Sequence, residues 1–165
     1  MSSTKKIAIL GMLICTGLAL SYAESLIPVY FGAPGIKPGF ANLCILFLIY
    51  YGKYKEALIV NACRILIAGF LFGNLFGIIY SLAGAALSFA VMTLLCILVK
   101  KTDIMVISIF GGVFHNIAQF LVALLVLGVS GIVYYLPVLL LAGFITGFIN
   151  GIIIKGICSH IRKLE

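Results

Sequence analysis

Apolar runs long enough to cross a membrane fill this chain, and basic residues collect at every second break between them. Lys5 and Lys6 come first, then Lys53 and Lys55, then Lys100 and Lys101, and finally Lys155, Arg162 and Lys163. The intervening breaks carry almost no charge, with Lys37 their only basic residue. This is the positive-inside pattern of a multi-pass membrane protein, and it predicts both termini on the cytoplasmic side of a cell membrane.

Composition agrees. Hydrophobic residues make up 64% of the 165 residues and charged residues 9%. Soluble domains are about half apolar and roughly a quarter charged, so a water-soluble fold is excluded. Six spans of ~20 residues each would use most of the length. The expectation is therefore an all-α integral membrane bundle of six helices, one transmembrane domain over 1–165. A net charge of +7 is accounted for by topology and by attraction to anionic lipids, with no nucleic acid as partner. Cys15, Cys44, Cys63, Cys96 and Cys158 show no C-x-x-C spacing and read as small hydrophobes, with no metal site or disulfide framework.

The runs predict spans over about 7–27, 40–51, 57–73, 76–99, 104–127 and 135–157. The first also has the shape of a signal peptide ending at Ala23, but its length and the spans that follow favour an uncleaved helix. Residues 28–39, PVYFGAPGIKPG, hold three of the four prolines and read as an outer loop. PGIKPG within it has the look of an anion-cradling nest, but lacks nucleotide P-loop spacing. The second run is short, implying a tilted helix or one that begins within the loop. Small residues recur at helical spacing in Gly69, Gly73 and Gly77, in Gly143, Gly147 and Gly151, and in Gly11, Cys15, Ala19 and Ala23. Such stripes let helices approach closely within a chain, or offer a face to another subunit. The stripe on the first span is the best candidate for subunit docking.

Ionisable and amide side chains inside apolar runs are costly, and so mark candidate sites. Arg64 falls roughly 12 Å into the third span, with Asn61 one turn away. His115 falls roughly 16 Å into the fifth, with Asn116 beside it and Gln119 one turn further. Glu24 ends the first span, and Lys37 and Asn42 flank the entry to the second. Together the eight outline an outward-opening polar column that would bind a small polar or anionic solute. The competing reading is that helix carbonyls, Asn61 and the His115–Gln119 group satisfy Arg64 and lock the bundle. Depth estimates separate Glu24 from Arg64 and argue against a direct pair. Asp103 is the only aspartate, and no H-E-x-x-H, G-x-S-x-G or paired carboxylates occur. Hydrolytic and metal-assisted chemistry thus lack their parts. No cofactor is expected, and the chain reads as no enzyme.

The segments ESLIP (Glu24–Pro28), PGIKPGFAN (Pro34–Asn42), RILIAGFLFG (Arg64–Gly73), HNIAQ (His115–Gln119) and YYLPVLLLAGFITG (Tyr134–Gly147) resemble, in this order, the Gx transporter family, also named heptaprenyl diphosphate synthase component I. Its members look like the six-helix S components of energy-coupling factor transporters. The resemblance implies a partner transmembrane subunit and a pair of ATPases. S components dock through an AxxxA pattern on the first helix, which Ala19 and Ala23 match, although in the outer half of the span. A synthase holds magnesium diphosphate with aspartate-rich motifs, which one aspartate cannot replace. By association the family name leaves open an accessory role in isoprenoid or menaquinone metabolism, or in membrane electron transfer.

Overall fold

The computed structural model describes residues 3–26, 39–99, 102–128 and 130–164, and among these there is no strand. Six α-helices follow in order: α1 (Ser3–Leu26), α2 (Leu43–Tyr50), α3 (Tyr54–Phe72), α4 (Leu75–Leu98), α5 (Ile104–Leu127) and α6 (Leu136–Leu164). Short 3-10 turns at Phe40–Asn42 and Ser130–Tyr135 lead into α2 and α6. Lys37, most of the proposed outer loop, Lys100 and Lys101 lie outside the described residues.

The helix ends follow local chemistry. Asn74 caps α4 by accepting from the Gly77 amide at 2.7 Å, and Asp103 caps α5 by accepting from the Met105 amide at 3.0 Å. Gly128, with φ 61°, closes α5 in the left-handed conformation that glycine adopts without strain. Asp103 also accepts from Lys155 Nζ at 2.7 Å, tying the start of α5 to α6. That Lys155 hydrogen bond, aided by the Met105 amide, holds the Asp103 carboxyl below the usual aspartate range. Arg162 and Lys163 occupy the last turn of α6, where cations complement the helix dipole.

Four helices, α1, α4, α5 and α6, are long and apolar enough to cross a membrane. α3 has sufficient length at 19 residues but carries Lys55, Glu56 and Arg64. The apolar stretch Phe40–Tyr50 rises only roughly 17 Å, short of a hydrocarbon core of ~30 Å. It is buried instead: Ile45, Leu46, Leu48 and Ile49 of α2 join Ala57, Val60, Met92, Ile104, Ile107 and Ile154 in the main core cluster. α6 continues beyond the expected end at residue 157 to Leu164, because Cys158 still packs into that core. Outside, large apolar side chains such as Met12, Phe70, Leu71, Leu98, Leu125 and Leu141 are exposed, an exterior suited to lipid rather than water.

α5 is the central helix, packed most extensively on α6 and α4. Along α6, Gly143, Gly147 and Gly151 face its backbone. A Cβ at Gly147 would stand 2.6 Å from the Ser108 carbonyl oxygen, and one at Gly143 would stand 2.7 Å from that of Gly112. This stripe is therefore a packing device within the chain. Ser108 Oγ donates to the Gly147 carbonyl at 2.6 Å, and Asn116 Nδ2 to the Leu139 carbonyl at 2.8 Å. On α1, by contrast, only Gly17 and Glu24 are buried.

Candidate functional site

Buried charge needs partners, and Arg64 draws its own from three elements. Its guanidinium donates to Ser21 Oγ on α1 at 3.0 Å, to Asn42 Oδ1 before α2 at 3.2 Å and to Asn61 Oδ1 on α3 at 2.9 Å. The residue is 8% exposed. Asn61 reaches it because residues three apart share a helix face. Gly17 makes the room: a Cβ there would lie 2.9 Å from Arg64 Cδ. The expected satisfiers thus prove only partly right. Asn61 holds Arg64, but side chains from α1 and the turn before α2 replace helix carbonyls and the His115–Gln119 group. Those carbonyls are already engaged in their own helix ladders.

Glu24 accepts from the Ala41 amide at 3.3 Å, answering one of the amide groups left open at the start of the 3-10 turn that leads into α2. It also lies within electrostatic reach of Arg64. Proximity of that kind is not a direct ion pair, which the depth estimates argued against.

Arg64 and Glu24 line a cavity of about 730 Å³ shared with Asn42, His115, Asn116 and Gln119. Six of the eight candidates come together there. Asn61 does not line it and acts through Arg64, and Lys37 lies outside the described residues. Asn116 serves a double role, since its amide bonds α6. His115 packs against α4 at Gly84, where a Cβ would come within 2.8 Å of the imidazole. The rest of the wall is largely apolar, with Leu46, Ile65, Phe72, Met92 and Phe120 among its residues.

Asn150 on α6 is a functional candidate that the sequence reading passed over. It is 7% exposed, lines the cavity, and donates from Nδ2 to the Gly39 carbonyl at 3.1 Å. That bond orients the amide and turns Oδ1 away as an acceptor. Its signal was present: an Asn within an apolar run, as at Asn61. Tyr135 and Ser21 were also missed; a Tyr near a span end reads as an interfacial anchor, and a lone Ser carries little weight. Four cavity-lining atoms are buried without a hydrogen-bond partner among the described residues: Arg64 Nε, His115 Nδ1, Asn150 Oδ1 and Tyr135 Oη. Such clustering is unusual, since buried polar atoms are nearly always satisfied.

The small-residue stripe on α1 has a different setting. Gly11, Cys15, Ala19 and Ala23 are all exposed, on the outside of the bundle.

A family model described as heptaprenyl diphosphate synthase component I matches residues 13–157, nearly the whole chain. The chain belongs to that family. No curated protein and no solved structure gives a significant match. The family name denotes the non-catalytic component of the synthase, and this member is not itself an enzyme. Its one aspartate is absorbed by the Asp103–Lys155 pair and the α5 cap, remote from the cavity lining.

Proposed function

We propose that this protein is the substrate-binding subunit of a membrane transport system, taking a small solute into the Arg64–His115 cavity and passing it inward with partner subunits. The observation that carries this reading is the cluster of four unsatisfied polar atoms in one largely apolar chamber. Chambers of this size, apolar with a few convergent polar groups, are what small-molecule sites look like. The unsatisfied set includes a donor at Arg64, an acceptor at Asn150 and two groups, His115 and Tyr135, able to serve either way. The solute is accordingly a compact molecule with both donors and acceptors. Arg64 and Glu24 offset one another, which favours a neutral or zwitterionic solute over a strongly anionic one.

In this proposal the six helices form a single transmembrane domain, with the short α2 held inside the bundle and both termini cytoplasmic beside the Lys-rich breaks. Gly11, Cys15, Ala19 and Ala23 are the docking face for an energy-coupling transmembrane subunit and its ATPases. The S-component resemblance and the exposure of the stripe support this assignment. Native mass spectrometry of the purified protein tests the site: a retained small molecule, lost on Arg64→Ala and on His115→Ala, is expected. Undiminished retention in both folded variants would defeat it.

The family match favours a second reading, a non-catalytic membrane subunit that assists a heptaprenyl diphosphate synthase or related menaquinone or electron-transfer machinery. Co-purification separates the two, since an ATPase module argues for transport and a soluble prenyl synthase for the accessory role.

A further inference from the structure

The Lys-rich end of the bundle holds a second cavity, of about 740 Å³, which shares no lining residue with the first. It lies between the end of α2, the turn into α3, the C-terminal end of α4, the start of α5 and the last turns of α6. The extension of α6 past the expected span end supplies one of its walls. Lys155, Ser159 and Arg162 all line it, at the i, i+4, i+7 spacing that places them on one helical face.

The cavity is chemically two-sided. Lys155 and Arg162 give two positive charges against the single carboxylate of Asp103, which already accepts from Lys155. Arg162 has no acidic partner among the described residues. Opposite them are Ile49, Val99, Ile104 and Ile107. Ile49, Ile104 and Ile107 belong to the core, but Val99 and the pocket-lining Tyr50 are also open to the exterior, next to exposed Leu98. The chamber thus connects basic groups with the lipid-facing surface. A simple anion would leave the apolar wall wet, and a neutral lipid would leave Arg162 unused.

We propose that this inner-end cavity binds the head of a phosphate-bearing anionic amphiphile, with Arg162 and Lys155 on the phosphate and the chain lying out past Val99. Guanidinium groups suit this task because their planar donors match phosphate oxygens in pairs. Basic pockets between membrane helices recognise phosphorylated lipid heads in this way. The phosphate group has two sources, a bilayer phospholipid or a prenyl diphosphate, and both present the same chemistry to these residues. The proposal stands independently of the solute cavity.

The test is native mass spectrometry of the full-length protein in detergent, titrated with dioleoyl phosphatidylglycerol and with farnesyl diphosphate. Dioleoylglycerol, farnesol and inorganic diphosphate serve as controls. One-to-one binding of a phosphate-bearing amphiphile is expected, weakened about tenfold by the double change Lys155→Ala/Arg162→Ala. The pair Lys155→Arg/Arg162→Lys should retain it, which guards against a folding artefact. Displacement of phosphatidylglycerol by farnesyl diphosphate would assign the site to a prenyl diphosphate, and resistance to displacement would assign it to membrane lipid. The proposal is overturned if the phosphate-free controls or inorganic diphosphate bind as tightly, or if the alanine pair binds like the parent protein.

Discussion

The contact between α5 and α6 and the contact between α1 and the rest of the bundle are built on opposite plans. Between α5 and α6, glycines bring backbone against backbone, and Ser108 and Asn116 stitch across to carbonyls on the neighbouring helix. α1 fully buries only Gly17 and Glu24; Leu10, Leu13 and Ile14 pack part-buried against the core, and polar contacts add Ser21 to Arg64, Glu24 to the Ala41 amide and Lys6 to Glu56. In lipid, packing rather than apolar burial holds helices together. The first contact is thus a fixed scaffold, whereas the second leaves one whole face of α1 uncommitted while its other face completes the candidate site.

The largest expected effect comes from breaking the tight contact. Gly147→Val should cost about 3 kcal/mol or more, because its β-carbon alone would overlap the Ser108 carbonyl and neither backbone can yield. Denaturant-induced unfolding in mixed micelles would register it, and near-wild-type stability would show that the two backbones are not in contact. Arg64→Ala should come next, at about 2 kcal/mol, since it strands the acceptors on Ser21, Asn42 and Asn61. It should also raise the accessibility of Cys15 or a nearby α1 label if α1 depends on this attachment, and an unchanged labelling rate would refute that dependence. Asn116→Leu should remove about 1 kcal/mol by deleting the hydrogen bond to Leu139. Ala19→Leu should alter intrinsic stability by less than about 0.5 kcal/mol, as its site is exposed, yet sharply reduce recovery of the docked partner. Loss of stability without loss of partner would reverse the roles assigned to the two contacts.

The smallest effect concerns pH. The folded-state pKa of Asp103 is depressed by Lys155. Its contribution is therefore present above the ordinary aspartate value of about 4 and fades as pH falls through the lower folded value. A slight drop in melting temperature on acidification below that range, absent in Asp103→Asn, would show it.

Several features were legible in the chain itself. The bounds of α5 follow from Asp103 before it and Gly128 after it, because cap chemistry is local. The gathering of Arg64, His115 and Gln119 follows from the cost of polar groups in apolar runs, which any fold must meet by pooling them. What could not be read was the relation between helices. The offset of α1 against α3 places Ser21, not a carbonyl, against Arg64, and brings Glu24 within its reach. The end of α6 was hidden because Cys158–Lys163 mixes polar and apolar residues, and only contact with the core shows which face is inside. Asn150 was missed for a different reason: Asn61 and Asn116 stand within a turn of Arg64 and His115, whereas Asn150 has no ionisable residue within a turn of it to draw attention.

The order in which residues are synthesised gives the Arg64 network a further meaning. Its three hydrogen-bond partners, Ser21, Asn42 and Asn61, all precede it in the chain. The guanidinium can therefore find its hydrogen-bond acceptors as soon as α3 has formed, before the later helices exist. Asn150, whose bond to Gly39 spans 111 positions, arrives close to the end of translation. The nascent protein thus satisfies its buried guanidinium early and closes its chamber last.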